Sequence, residues 1–302
     1  MLKTYTVEKD YHNSRFDKWF KAKIINLPQS LLEKIIRLNK VKVNKKKIKS
    51  SYRLVSGDIV EVYNISNFKI ENKPKISKYQ PSKKEVSVYD DYIIEDNENF
   101  VVINKPTGIP VQSGTKSFRN IIDVIKNTKY FEHHKPFIVH RLDKETSGVL
   151  IVAKTREYAQ LFTSLFRIRK IHKTYLALTH GKISKHKDTL KDDLVSYEKN
   201  RKIIQKAISH LKVLKSNNDY SYVELNPITG RKHQLRKQLY NIGNPIVGDD
   251  KYFIKRKVLK KKIKSKNLML HAYKIKFMIN NIQYNFKARY NKDFENFLKK
   301  QF

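Results

Sequence analysis

A carboxylate surrounded by cations is the first candidate for chemistry in this sequence. Residues 138–149 read I-V-H-R-L-D-K-E-T-S-G-V, and within them Asp143 stands between Arg141 and Lys144. The stretch joins two apolar runs that are typical of strands, so we expect Asp143 at the end of a strand. A carboxylate at the end of a strand, among cations, is either a turn residue or a reacting group.

Three further segments contain residues that could act together with Asp143. They are V-I-N-K-P-T-G at 102–108, K-T-Y-L-A-L at 173–178 and P-I-T-G-R-K-H-Q-L-R at 227–236. From residue type alone, Tyr175 is equally consistent with a core tyrosine, since the chain has 18 tyrosines. Arg236 is equally consistent with a solvated cation on a helix.

The sequence argues against several common cofactor and metal sites. The absence of cysteine excludes disulfides and thiolate metal sites. G-I-P-V-Q-S-G-T-K-S at 108–117 is not a phosphate-binding loop, because its glycines are one residue too far apart and Thr115 separates Gly114 from Lys116. No G-x-G-x-x-G motif occurs, and the pair at 133–134 lacks a further metal ligand at helical spacing. We therefore predict no cofactor and no metal.

The charge of the chain favours a nucleic-acid partner. With 65 Lys+Arg against 28 Asp+Glu, the formal net charge is +37. Residues 34–49 hold eight Lys and Arg and no acid, and residues 251–266 hold nine and no acid. Such clusters attract phosphate backbones. Codon bias in an AT-rich genome is an alternative source of part of this charge.

The position of the elements predicts two domains joined by a linker. The spacing of apolar residues within 1–63 predicts two helices, a basic hairpin and a final strand at 59–63. Residues 64–88 contain two prolines and no periodicity, which predicts an extended linker. Residues 89–302 mix strand-like and helical segments, which predicts an α+β domain whose mixed, largely antiparallel sheet is flanked by helices. With no leader-like or membrane-length apolar run, we expect a cytoplasmic protein that binds no membrane.

The four segments, taken together, resemble the RluA family of pseudouridine synthases. H-R-L-D-x-x-T-S-G at 140–148 matches the family signature, and L-M-L-H-A-Y at 268–273 resembles its closing strand. S-R-F-D-K-W, I-I-R-L-N-K-V-K-V-N and G-D-I-V-E within residues 1–63 resemble an S4-like RNA-binding domain. An S4 domain in front of the catalytic domain points to the branch of the family that acts on 23S large-subunit ribosomal RNA. A related branch usually reads G-R-L-D, so His140 argues against it.

The resemblance implies that a flipped-out uridine is isomerised to pseudouridine. Asp143 matches the catalytic carboxylate, which either attacks C1′ or removes a sugar proton. Arg236 matches the residue that pairs with this Asp, Tyr175 matches the aromatic residue at the base, and Arg141 is a candidate for holding the displaced nucleotide. Further expected RNA contacts are Arg231, His233, Lys34, Arg37, Lys40, Lys42, Lys45 and Lys46. One departure is Gln238, which stands where the family often has His.

The expected partner is ribosomal RNA or a pre-ribosomal particle, bound by a monomer without metal. Two alternatives remain open on the residues. One is the same chemistry on tRNA, and the other is a non-catalytic RNA-binding protein of ribosome assembly that has kept the fold.

Overall fold

Two units appear in the computed structural model of the protein, Met1–Lys78 and Tyr79–Phe302. The structure describes residues 2–64, 79–113, 119–184, 187–198, 201–253, 265 and 267–302. No helix within these ranges is long and apolar enough to cross a membrane.

The N-terminal unit packs two helices against a small antiparallel sheet. Its strands are β1 (Leu2–Thr6), β2 (Val41–Val43) and β3 (Ile59–Tyr63), in the order β1-β3-β2, and its helices are α1 (Phe16–Lys23) and α2 (Gln29–Arg37). Trp19 and Phe20 of α1 and Ile35 of α2 are fully buried because they recur at helical spacing on the face that meets the sheet. Asn44 and Lys45 adopt positive φ after β2, which turns the chain back at the basic segment.

The predicted linker is partly replaced by a helix. Residues 65–78 of the expected stretch 64–88 lie outside the described residues. Its last part forms helix α3 (Lys83–Val88), which belongs to the second unit. The sequence signal for this helix is S-K-K-E at 82–85, because the Ser82 hydroxyl accepts a hydrogen bond from the Glu85 backbone N–H, as in a capping box.

The second unit is built on a ten-stranded sheet. Its strands are β4 (Ile93–Asp96), β5 (Phe100–Lys105), β6 (Phe137–Ile138), β7 (Ser147–Ala153), β8 (His172–His180), β9 (Lys187–Glu198), β10 (Arg201–Ser216), β11 (Tyr220–Pro227), β12 (Leu270–Ile279) and β13 (Ile282–Lys287). Its other helices are α4 (Ile121–Ile125), α5 (Arg156–Arg167), α6 (Gln234–Asn241) and α7 (Lys292–Gln301). The main order is β4-β5-β7-β12-β8-β11-β10-β9, with β13 beside β12 and β6 beside β7.

The sheet is mixed, as predicted. In the described part of the chain, β7 and β12 form the parallel pair and the other pairs are antiparallel. Together with the helices, this confirms the α+β class. The central strands are buried on both faces: Val101 and Ile103 face one apolar cluster, while Phe100 and Val102 face another that includes Phe162 of α5.

One glycine brings the predicted signature against the centre of the sheet. Gly148 has φ of 108°, and a Cβ placed there would lie 2.2 Å from the carbonyl oxygen of Ala272 in β12. No other residue type tolerates that backbone angle and that approach together. The T-S-G end of the signature therefore sets the start of β7, and with it the loop that carries Asp143.

Candidate active site

Asp143 lies in the loop between β6 and β7, on the wall of a cavity of about 730 Å³. β8 supplies Tyr175 to the same cavity, and α6 with the turn before it supplies the cations. The sequence-predicted residues that line it are Arg141, Asp143, Tyr175, Arg231, His233 and Arg236. Residues almost a hundred positions apart in sequence thus meet in one pocket, which is large enough for a nucleotide.

A buried lysine holds the loop that carries Asp143. Lys105, at the end of β5, is fully buried and its Nζ donates to the carbonyl oxygens of Pro106 (2.8 Å), Ile109 (2.9 Å) and Lys144 (3.1 Å). Burial lowers the pKa of Lys105 to about 7, although Glu145 and Asp143 oppose that shift. Three acceptors around one nitrogen match the three N–H groups of an ammonium. The N-K-P-T-G segment therefore anchors the residue next to Asp143.

His140 of the signature has a structural place beside the loop. Its Nε2 accepts a hydrogen bond from the backbone N–H of Ile151 in β7 (2.9 Å), and its ring packs 4.7 Å from that of Phe166. Burial, with a smaller contribution from Lys173, lowers the pKa of His140 to about 3. A neutral ring that accepts at Nε2 fixes the chain leading into Asp143 and is not available there as a base.

The carboxylate of Asp143 is near two partners but bound to neither. Its Oδ2 is 3.9 Å from Nη1 of Arg236, and its Oδ1 is 3.8 Å from Nε2 of His233. Both distances exceed a normal hydrogen bond. Among the described residues none donates a hydrogen bond to this carboxylate, and the side chain is 24% exposed. Its lone pairs are therefore open to the cavity.

The closest partner of Arg236 is Asp249, and the predicted partner Asp143 lies farther from the guanidinium, at 3.9 Å. Nε and Nη2 of Arg236 donate to the two oxygens of Asp249 at 2.6 and 2.7 Å. The Asp249 carboxylate is completely buried and also accepts from the backbone N–H groups of Lys251 and Tyr252. Burial raises the pKa of Asp249, but these hydrogen bonds, those from Arg236 above all, hold that pKa below its usual range. Arg236 thus links a structural acid to Asp143, because the I-V-G-D segment folds back onto α6.

His233 occupies a strained position at the start of α6. Its φ of 54° lies in the left-handed region, which is unfavourable for a residue other than glycine. Nδ1 is 2.9 Å from the hydroxyl of Tyr252, and Nε2 points to Asp143. Burial lowers the pKa of His233; Asp143 opposes this, whereas Arg236, Lys251 and Lys232 lower it further. The ring is therefore neutral near pH 7.

Tyr175 stands in the wall of the cavity formed by β8. It pairs with Ala272 of β12 and Leu225 of β11, so its backbone is fixed on both sides. Burial, and then the Asp143 carboxylate, raise the pKa of the Tyr175 phenol. The ionised phenolate, which could accept a proton directly, is therefore disfavoured. A neutral ring that packs against a nucleobase fits the site. Lys173, two residues earlier on the same strand, also lines the cavity, and burial lowers its pKa.

Gln238 lies in the interior and does not face the cavity. Its side chain bonds to Ser209, to the carbonyl oxygens of Leu190 and Ala207, and to Asp192. These contacts tie α6 to β9 and β10, so the residue that departs from the family's usual His has a structural role here.

The remaining predicted cations divide between the units. Lys34, Arg37, Lys40, Lys42, Lys45 and Lys46 belong to the N-terminal unit, exposed or half-exposed, and form no ion pair with any described carboxylate. The cluster at 251–266 lies mostly outside the described residues. In the ranges that the structure describes, no three His, Asp or Glu side chains converge on a metal position.

Sequence reasoning missed two residues of this site. Lys105 stood within the quoted V-I-N-K-P-T-G segment, and Asp249 at the end of the P-I-V-G-D run that follows α6. The available signal was chemical: a Lys that ends a strand of apolar residues, and an Asp that directly follows a glycine. The partners that connect them to the site, Lys144 and Arg236, lie 39 and 13 residues away, so spacing did not reveal them.

Comparison with known proteins gives one family. A family described as RNA pseudouridylate synthase matches residues 99–241. A protein of Buchnera aphidicola subsp. Baizongia pistaciae called ribosomal large subunit pseudouridine synthase C is 32% identical over 90% of this chain and 88% of its own length. The protein of the same name from Rickettsia bellii is 35% identical over 79% of this chain and 82% of its own.

A solved structure agrees with these sequence matches. Human RNA Pseudouridylate Synthase Domain Containing 4 superposes with a TM-score of 0.61 and 26% identity, over 71% of this chain and 94% of that one. The resemblance drawn from H-R-L-D-x-x-T-S-G is thereby confirmed. The chain belongs to the RNA pseudouridylate synthase family.

Proposed function

We propose that this protein isomerises specific uridines of large-subunit ribosomal RNA to pseudouridine, and that the target is the 23S RNA. Asp143 is the reacting carboxylate, Arg236 the cation beside it and Tyr175 the ring that meets the flipped base. Asp143 acts in one of two ways, by attack on C1′ or by removal of a sugar proton. The relatives named for the ribosomal large subunit support the choice of RNA.

One observation carries this proposal. The Asp143 carboxylate lies on the wall of a cavity large enough for a nucleotide, and no described residue donates a hydrogen bond to it. An acid that only terminated a turn would use its oxygens on nearby N–H groups. An acid that reacts must keep a lone pair free for the substrate, and the absence of a described donor to Asp143 supports that role. That arrangement also disfavours the non-catalytic alternative.

The test is tritium release from RNA labelled at C5 of uridine. Wild-type protein is incubated with unmodified transcripts of large-subunit rRNA and with a matched tRNA pool. We expect release from the rRNA, at a few discrete sites that sequencing of modified positions then locates. Release from tRNA alone would show that the substrate is tRNA and not ribosomal RNA. Release from neither, with RNA binding intact, would favour the non-catalytic protein.

We also propose that residues 1–63 form an S4-like RNA-binding domain. Two helices followed by a basic hairpin and strand support this assignment, as do the exposed cations on α2 and on the turn after β2. Replacing Lys34, Arg37, Lys45 and Lys46 by Gln should weaken RNA binding. It should also lower the slope of log affinity against log salt by about 0.7–0.9 for each lost phosphate contact. An unchanged slope would make this unit a structural appendage.

A further inference from the structure

A second, smaller cavity lies against the first. It measures about 200 Å³ and is bounded by β9, by β10 and by the segments on either side of α6. Arg231 and Lys232 line both cavities, so the turn before α6 is a common wall. A ligand in the second cavity would therefore be a neighbour of whatever occupies the site over Asp143.

Cations dominate this second cavity. Arg231, Lys232, Lys237 and Lys251 line it, and no carboxylate does. In the described part of the chain, none of the four side chains forms an ion pair with an acid. Among the acids of β9, Asp192 already accepts hydrogen bonds from Gln238 and Asn241.

Two of these cations are held in place by the protein. Nε of Arg231 donates to the carbonyl oxygen of Lys206 in β10 (3.2 Å), and Nζ of Lys237 donates to that of Val195 in β9 (3.3 Å). Each retains further N–H groups for a ligand. Lys251 lies 5.7 Å from the ring centre of Tyr252, which also contacts Arg236. Four cations around one small cavity, without an acid in its lining, repel one another unless an anion enters.

The size of the cavity decides which part of an RNA fits. Pockets for whole small molecules span roughly 300–1,000 Å³, so about 200 Å³ suits a phosphate group better than a nucleoside. The lining offers many donors and few free aromatic faces, because Tyr252 is already engaged by His233 and by two cations. Phosphate oxygens are the acceptors that such a lining recognises.

We propose that this second cavity binds a backbone phosphate of the RNA strand adjacent to the uridine that enters the site over Asp143. The inference rests on the proposed function, since it takes RNA as the ligand of the first cavity. When a nucleotide flips into the first cavity, its flanking phosphates stay on the protein surface. A fixed cationic binding site for one of these phosphates sets the register of the RNA strand.

The first test is the salt dependence of RNA binding. Lys237→Gln/Lys251→Gln removes two cations of the cavity, and Lys212→Gln/Lys276→Gln removes two exposed lysines that line neither cavity. Filter binding of an unmodified large-subunit rRNA transcript should give a log–log slope lower by about 0.7 in the first variant only. Equal slopes in the two variants would overturn the proposal. Thermal melting verifies that both double variants fold. If Lys237→Gln/Lys251→Gln does not fold, the single variant Lys251→Gln is used in its place.

The second test locates the phosphate. Transcripts are ethylated at random single phosphates, which removes one charge each, and RNA bound by wild type is compared with RNA bound by the Lys237→Gln/Lys251→Gln variant. We expect one interfering phosphate beside the modified uridine for wild type that no longer interferes for the variant. An identical interference pattern contradicts the proposal. Tritium release by wild type on the same transcript is scored separately, so its absence would count against the proposed function and not against the cavity as an RNA site.

Discussion

Three carboxylates lie near the Arg236 guanidinium: Asp250 is almost fully exposed, whereas Asp249 and Asp143 approach different nitrogen atoms in contrasting surroundings. Asp249 is completely buried and accepts two hydrogen bonds from Arg236 and one each from the backbone N–H groups of Lys251 and Tyr252. Asp143 is 24% exposed, lies 3.9 Å from the same guanidinium and receives no hydrogen bond from any described residue. A saturated acid and an open acid thus share one cation.

The difference indicates how one arginine can serve structure and chemistry together. Asp249 takes the bidentate edge of Arg236 and fixes its orientation, as buried Arg–carboxylate pairs do. Nη1 remains for Asp143, at a distance that supplies positive charge without occupying a lone pair. A direct bidentate bond to Asp143 would have stabilised that acid and blocked it. The following predictions remove one member of this arrangement at a time.

Arg236→Met should have the largest effect. The variant leaves the buried Asp249 carboxylate without its cation, which should destabilise the catalytic unit by roughly 3–5 kcal/mol. It also removes the charge beside Asp143, so tritium release should fall below detection. Denaturant unfolding measures the first effect. Arg119→Met, which breaks a pair of a half-exposed arginine with Glu85, is the control and should cost at most about 1 kcal/mol. Equal losses in the two variants would contradict the structural role of Asp249.

Lys105→Met should come next. Methionine keeps the volume but leaves the carbonyl oxygens of Pro106 and Ile109 without their donor, at a cost of about 1–3 kcal/mol each. The loop after Asp143 also loses its tie at Lys144, so we expect the rate at saturating RNA to fall roughly 10–100-fold through misplacement. Lys154→Met, which removes another buried lysine whose partner is Asp96, should lower stability with little change in rate. A normal rate in Lys105→Met would show that this tie does not position Asp143.

His233→Gln should change the pH profile more than the maximal rate. Burial lowers the pKa of His233. The ring is therefore neutral near pH 7, and it gains a proton only when the pH falls below the ordinary pKa of a histidine. Once charged, it would pair with Asp143, 3.8 Å away, and compete with the substrate for the carboxylate. Removing it should therefore extend activity to lower pH. Tritium release measured between pH 5 and pH 8 would contradict this assignment if the acid limbs of variant and wild type coincide.

Tyr175→Phe should have the smallest effect. Burial and Asp143 raise the pKa of the phenol, so its neutral ring and not an ionised oxygen is the expected contribution. We expect the rate to stay within about tenfold of wild type, whereas Tyr175→Ala should lose most activity because the base loses its packing partner. A Phe variant as inactive as the Ala variant would assign the hydroxyl a direct part in proton transfer.

The sequence was sufficient to predict the residues that meet in the cavity and the mixed sheet that places them. The signature carries Asp143 and Gly148 within six positions, and the apolar runs of β5 and β7 mark strands buried on both faces. The Asp249–Arg236 pair was not predicted because it depends on how the chain returns to α6 after the helix ends. The helix at 83–88 was missed because two prolines nearby outweighed the S-K-K-E capping signal.

The most direct test of the account compares Asp143→Asn with Asp249→Asn, using Asp91→Asn as an exposed control. Tritium release and thermal melting are measured on the same preparations. Asp143→Asn should melt within a degree or two of wild type, because its carboxylate accepts no hydrogen bond from a described residue and the change should cost about 0.5 kcal/mol or less, and it should release no tritium. Asp249→Asn should melt roughly 10 °C lower, since about 3–5 kcal/mol is lost with its ion pair, and retain measurable release while folded. Turnover by Asp143→Asn at the wild-type rate would contradict the assignment of Asp143 as the reacting carboxylate.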